Sequence, residues 1–130
     1  MTLTITSLIS ILLFSLHWED EDARGIETGT VSAFGGLVIL AVWLCGTRVF
    51  RERRLGLVII QLGAILASGV PVLHMQGRGL VGGRIAANSS GALFWVWTNI
   101  ALGASGMLSA VLAARGLWSL RRVSPRRTSA

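Results

Sequence analysis

Four apolar stretches, each parted from the next by polar residues, dominate the chain. The first runs from about Thr2 to Trp18 and stops at Glu19-Asp20-Glu21-Asp22. The second runs from about Thr30 to Phe50 and stops at Arg51-Glu52-Arg53-Arg54. The third covers Leu55 to Met75, and the fourth covers Gly91 to Trp118 ahead of Arg121-Arg122. A helix needs roughly 20 apolar residues to cross the hydrocarbon core of a bilayer. The second and third stretches match that length, the first is near the short limit, and the fourth is long enough to tilt or project. The runs are continuous rather than alternating, which selects helices over barrel strands. The pattern therefore predicts an all-α integral membrane protein, with four transmembrane helices in a small bundle over residues 1–122 and a short basic tail at 123–130.

Composition supports that reading. The 130 residues are 52% hydrophobic and 14% charged, with a mean hydropathy of +0.67. A soluble domain of this size has about 25% charged residues and cannot hide so much apolar surface. Four crossings take about 80 residues, which leaves loops and a tail but no room for a catalytic domain among these residues. Cys45 is the single cysteine and has no intrachain partner.

The charge pattern sets the expected orientation. All 12 cationic residues are arginine, a bias that fits codon usage better than selection for chemistry. Nine of them (Arg48, Arg51, Arg53, Arg54, Arg115, Arg121, Arg122, Arg126 and Arg127) fall on one side of a four-span topology, and Arg24, Arg78 and Arg84 fall on the other. The positive-inside rule places the nine-arginine side, with both termini, in the cytoplasm of a bacterial inner membrane. The basic residues then mark topology and anionic lipid contact rather than nucleic-acid binding. The first stretch has no basic start and no small-x-small cleavage site, so it is expected to stay as a helix. Leu16-His17 and Leu73-His74 close the first and third stretches, a faint outline of a duplicated hairpin whose intervening residues align poorly.

Candidate chemistry lies at the outer face. Glu19, Asp20, Glu21, Asp22 and Glu27 are expected in the first outer loop, where a solvated acidic loop is the ordinary outcome. His17 and His74 end helices that run in the same direction, so their depths should match. Imidazole and carboxylate together suit zinc, copper or nickel, which makes His17, His74, Glu19 and Asp20 a candidate metal set. Two histidines on facing helices also suit haem or a pigment. The ordinary role for each is an interfacial side chain bonded to a carbonyl or water. Gly77-Arg78-Gly79-Leu80-Val81-Gly82 matches a dinucleotide fingerprint in letters, but it lacks the strand–helix context that gives the fingerprint meaning. Asn88-Ser89-Ser90 is a formal glycosylation sequon with no weight in a bacterial protein.

Inside the membrane the spans carry no Asp, Glu or Lys at mid-depth, which argues against a small multidrug antiporter. Gln61 and Asn99 are polar and uncharged, suited to hydrogen bonds across helices. The fourth stretch repeats small residues at Ala101, Ser105, Ser109 and Ala113, with Gly103, Gly106, Ala110 and Ala114 beside them. The third adds Gly63, Ala64, Ala67 and Ser68. Such rows let helix backbones approach closely, either inside the bundle or against another subunit. Pro71 removes a backbone donor near the end of the third span. Trp18, Trp95, Trp97 and Trp118 are placed as interfacial anchors, and Trp43 lies deeper.

No nucleophile–base pair can be assembled from these positions, so the chain is not read as an enzyme. The leading expectation is a non-catalytic structural or accessory subunit of a larger membrane assembly. Its partners would be membrane lipid and other membrane subunits or further copies of itself. The alternatives are a metal- or haem-binding protein using His17 and His74, and a small oligomeric channel or transporter.

Overall fold

A computed structural model describes residues 1–23, 30–75 and 91–123, and the regular structure among them is entirely helical. The elements are α1 (Thr2–Ala23), α2 (Thr30–Arg48), α3 (Arg54–Met75) and α4 (Ala92–Val123). Three of the helices are long and apolar enough to cross a membrane, while α2 has a shorter apolar stretch at Phe34–Arg48. This is consistent with an integral membrane protein. Glu27, the glycine-rich 77–82 segment, the 88–90 sequon and the tail beyond Val123 lie outside the described residues, as do Arg24, Arg78 and Arg84.

The helices form an antiparallel bundle in which α3 and α4 share the largest interface and α1 packs on the other three. Among the described residues the backbones of α2 and α4 do not come close, so the two helices occupy opposite corners. One end of the bundle carries the acids of α1, and the other carries Arg48–Arg54 and Arg121–Arg122. We call these the acidic end and the arginine end.

The helix ends differ from the sequence reading in instructive places. α1 does not stop at Trp18 but runs through Glu19-Asp20-Glu21-Asp22 to Ala23. These four acids are therefore helical rather than part of a loop. α4 likewise continues past Trp118 to Val123, giving 32 residues and a length of about 48 Å. Neither charge nor polarity breaks a helix, because the side chain leaves the backbone ladder untouched.

Local backbone chemistry explains the connection at the arginine end. The amides of Val49 and Phe50 both donate to the Cys45 carbonyl, at 2.8 and 3.3 Å, and the Arg53 amide donates to Phe50 O at 2.8 Å. Gly56 sits directly against this turn, and a Cβ there would overlap the Phe50 carbonyl. At the acidic end, Gly91 precedes α4 with φ 95°, a conformation that favours glycine. Its carbonyl accepts the Trp95 amide at 3.1 Å.

Polarity is distributed inside out. The buried face of α1 is Thr6, Ser7, Ser10, Phe14, His17 and Glu21, five polar residues out of six. Its exposed face includes Ile5, Ile9, Leu12 and Leu16. In water this arrangement forfeits the hydrophobic drive. In lipid the aliphatic face is solvated by hydrocarbon, and the hydroxyls of the buried face find partners in the bundle.

Candidate functional site

The bundle interior is built in three layers. The layer toward the arginine end is a hydroxyl network. Thr47 Oγ1 donates to the Trp43 carbonyl at 2.9 Å, so in its 2.8 Å contact with Ser7 the serine is the donor. Ser7 Oγ then accepts from Trp43 Nε1 at 3.0 Å. Every polar group of this trio is thereby used, and α1 is fixed to α2. Three residues after Ser7, the single Ser10 proton is shared between the Thr6 carbonyl at 3.0 Å and Ser105 Oγ at 3.1 Å, with Ser109 Oγ 3.4 Å away. This joins α1 to α4.

The middle layer is apolar: Phe14, Trp43, Ala67, Val70 and Leu102 pack together, with the Phe14 and Trp43 rings edge to face at 6.4 Å. Trp43 is 1% exposed, so this deep tryptophan faces partner helices and not lipid.

The layer toward the acidic end holds the ionisable groups. His17 and Glu21, one helical turn apart, bring Nε2 and Oε1 to 3.3 Å, both side chains buried. The Trp95 ring of α4 lies 5.7 Å from the imidazole, centroid to centroid. Asn99, 3% exposed, follows Trp95 by one turn, and its Oδ1 has no hydrogen-bond partner among the described residues. A buried histidine–carboxylate pair beside a tryptophan can hold or pass a proton, or chelate a cation.

The residues singled out from the sequence are distributed as follows. His17 is in the buried pair. Only the backbone of His74 is described; it lies in the last turn of α3. Pro71, one turn before it, packs against Gly103 of α4, which sets His74 level with the Asn99 turn. His17, beside Trp95, and the backbone of His74, level with Asn99, are therefore about one helical turn apart in depth. Glu19 is exposed and lies about 200° around the helix from His17, and Asp20 is half-buried. The carboxylate that joins His17 is Glu21, whose i, i+4 spacing was the signal available in the sequence. Among the described residues no group of three or more His, Cys, Asp or Glu side chains is placed to hold a metal ion.

The packing residues separate by face. Ser105 and Ser109 turn to α1, as above. Gly103 meets the Pro71 ring, and Gly106 meets Ala67 and Ser68 so closely that a Cβ would lie 2.9 Å from the Ser68 amide. Gly63 supports the Trp43 indole, which a Cβ would overlap. Ala110 is half-buried. Gln61 is half-buried on α3, its Oε1 meeting no donor among the described residues. Bonds across helices among the described residues include those of the Ser7, Ser10 and Thr47 hydroxyls and of the Trp43 indole. Ser7, Ser10 and Thr47, which small-residue spacing did not single out, are completely buried.

The chain matches no family model, and no curated protein or solved structure shows significant similarity to it.

Proposed function

We propose that this chain spans a bacterial inner membrane four times, with both termini cytoplasmic, and serves as a non-catalytic accessory subunit of a membrane assembly. The observation that carries the proposal is the inside-out distribution of polarity. The hydroxyl layer is used within the bundle, and the periphery is aliphatic. Two features support four crossings. α2 runs antiparallel to α1 over matching depth, with Ser7 on Thr47 at one end and Trp18 against Gly36 toward the other. Its 19 residues give about 28 Å of helix, close to the core of a bilayer. Nine of the 12 arginines then share the cytoplasmic side.

The glycine and serine rows of α3 and α4 are consumed inside the bundle, so a partner would meet the outer faces of α2 and α4. Purification in gentle detergent tests the role. A colourless preparation that brings down a membrane protein at fixed stoichiometry is the expected result. A chain that purifies alone and passes ions in liposomes would replace this reading with a channel. Reagents confined to the exterior should fail to label the tail beyond Val123, and labelling there would overturn the orientation.

A second reading is favoured by the buried His17–Glu21 pair: a divalent metal or haem bound at the acidic end, with His74 on the neighbouring helix about one turn away in depth. A Soret band, or stoichiometric metal that disappears in His17→Ala, would support it. A colourless, metal-free preparation would remove it.

A further inference from the structure

The α2–α3 face has two properties in line with each other. The first is an open apolar groove of about 300 Å³ between the two helices, floored by Trp43 and Gly63 and walled by Val38, Val42, Leu62 and Leu66. The Trp43 indole packs directly on Gly63, where a Cβ would overlap it, and the apolar side chains of both helices rise around this contact. The second is the connection that joins the same two helices. Residues 48–54 carry four arginines against one glutamate, a net charge of +3. All five are exposed. Glu52 meets Arg51 at 3.1 Å, and the Arg53 guanidinium stands 5.9 Å over the Phe50 ring.

The dimensions match a lipid leaflet. From Arg54, the groove residues Ile59 and Leu66 lie about 7 and about 18 Å along α3. One leaflet of hydrocarbon is about 15 Å deep. A headgroup at the arginines therefore sends its acyl chain along the groove. Guanidinium groups bind phosphate oxygens through paired N–H donors, and basic clusters between membrane helices select anionic headgroups.

We propose that the α2–α3 groove and the arginines of its connection form a binding site for one anionic phospholipid, its phosphate on the guanidiniums and one acyl chain lying along the exposed Val38, Val42, Leu62 and Leu66. The proposal rests on the membrane-spanning reading but not on the accessory role.

The test is native mass spectrometry of the purified full-length chain in mild detergent, titrated with palmitoyl-oleoyl phosphatidylglycerol or palmitoyl-oleoyl phosphatidylcholine. Because no partner protein is present, the outcome is independent of whether the chain is a subunit. Phosphatidylglycerol should bind about tenfold more tightly. Replacing Arg48, Arg51, Arg53 and Arg54 together by glutamine should bring the two lipids to within about twofold of each other. Because these arginines also guide insertion, a second variant keeps them all. Leu62→Trp, at an exposed position on the groove wall, should fill the groove and weaken both lipids. Equal binding of the two lipids by the unaltered chain would overturn the proposal. So would a preference that survives the glutamine variant, undiminished binding to Leu62→Trp, or a second copy of the chain occupying the groove and resisting displacement by phosphatidylglycerol.

Discussion

The α3–α4 seam and the α1 seam hold the same bundle together by opposite means. α4 approaches α3 through residues that lack side chains: Gly103 under Pro71, and Gly106 under Ala67 and Ser68. α1 is held through side-chain hydroxyls, Ser7 to Thr47 and Trp43, and Ser10 to Ser105. The first seam gains dispersion from close backbone approach, and its failure mode is steric. The second gains hydrogen bonds, and its failure mode is an unpaired polar atom. In lipid, where apolar burial adds nothing, these are the two sources of helix association. Steric faults should cost more than hydroxyl losses.

That contrast can be broken in order of expected effect. Trp43 of α2 uses both means, bonding Ser7 of α1 and resting on the bare Gly63 of α3. Trp43→Ala should therefore be the most damaging change, at about 3–5 kcal/mol, read as a fall in the denaturation midpoint in micelles. Gly106→Leu should follow, costing about 1–3 kcal/mol or more by forcing α4 from α3. Loss of near-ultraviolet circular dichroism with helix content retained would be its signature. Ser10→Ala should cost much less, about 0.6 kcal/mol, the usual value for a hydrogen bond between membrane helices. If it proves as harmful as Gly106→Leu, the comparison fails. Asn99→Leu should be the mildest, neutral or stabilising by up to about 1 kcal/mol, because the buried Asn99 Oδ1 meets no donor among the described residues. Clear destabilisation would show that this amide is engaged by a group outside the described residues.

The acidic end obeys neither pattern. His17, Glu21, Trp95 and Asn99 gather ionisable and polar groups where the rest of the interior holds hydroxyls and hydrocarbon. A layer of that kind is expensive to keep in a membrane. It is the natural place to look for ligand or proton chemistry, whereas the hydroxyl layer has its bonds already made.

Much of this was readable before the fold was known. Run length, continuity and arginine placement specify the helices and their expected order, since a segment's partition into lipid depends on its own composition. Helical spacing also brought out Gly63, Gly103, Gly106, Ser105 and Ser109 as packing positions. Facing partners were beyond that arithmetic. Nothing in the spacing of α4 tells Ser105 to meet α1 while Gly106 meets α3, and nothing in α1 marks Ser7 and Ser10 as its buried face rather than Ile5 and Ile9. The choice of Glu21 over Glu19 and Asp20 depends on which side of α1 turns inward, and that is fixed by contacts between residues up to about a hundred positions apart. The sequence determined what enters the membrane because each residue meets lipid individually. Tertiary packing decided which polar atoms meet one another, because a hydrogen bond needs two partners and their distance is a property of the whole bundle.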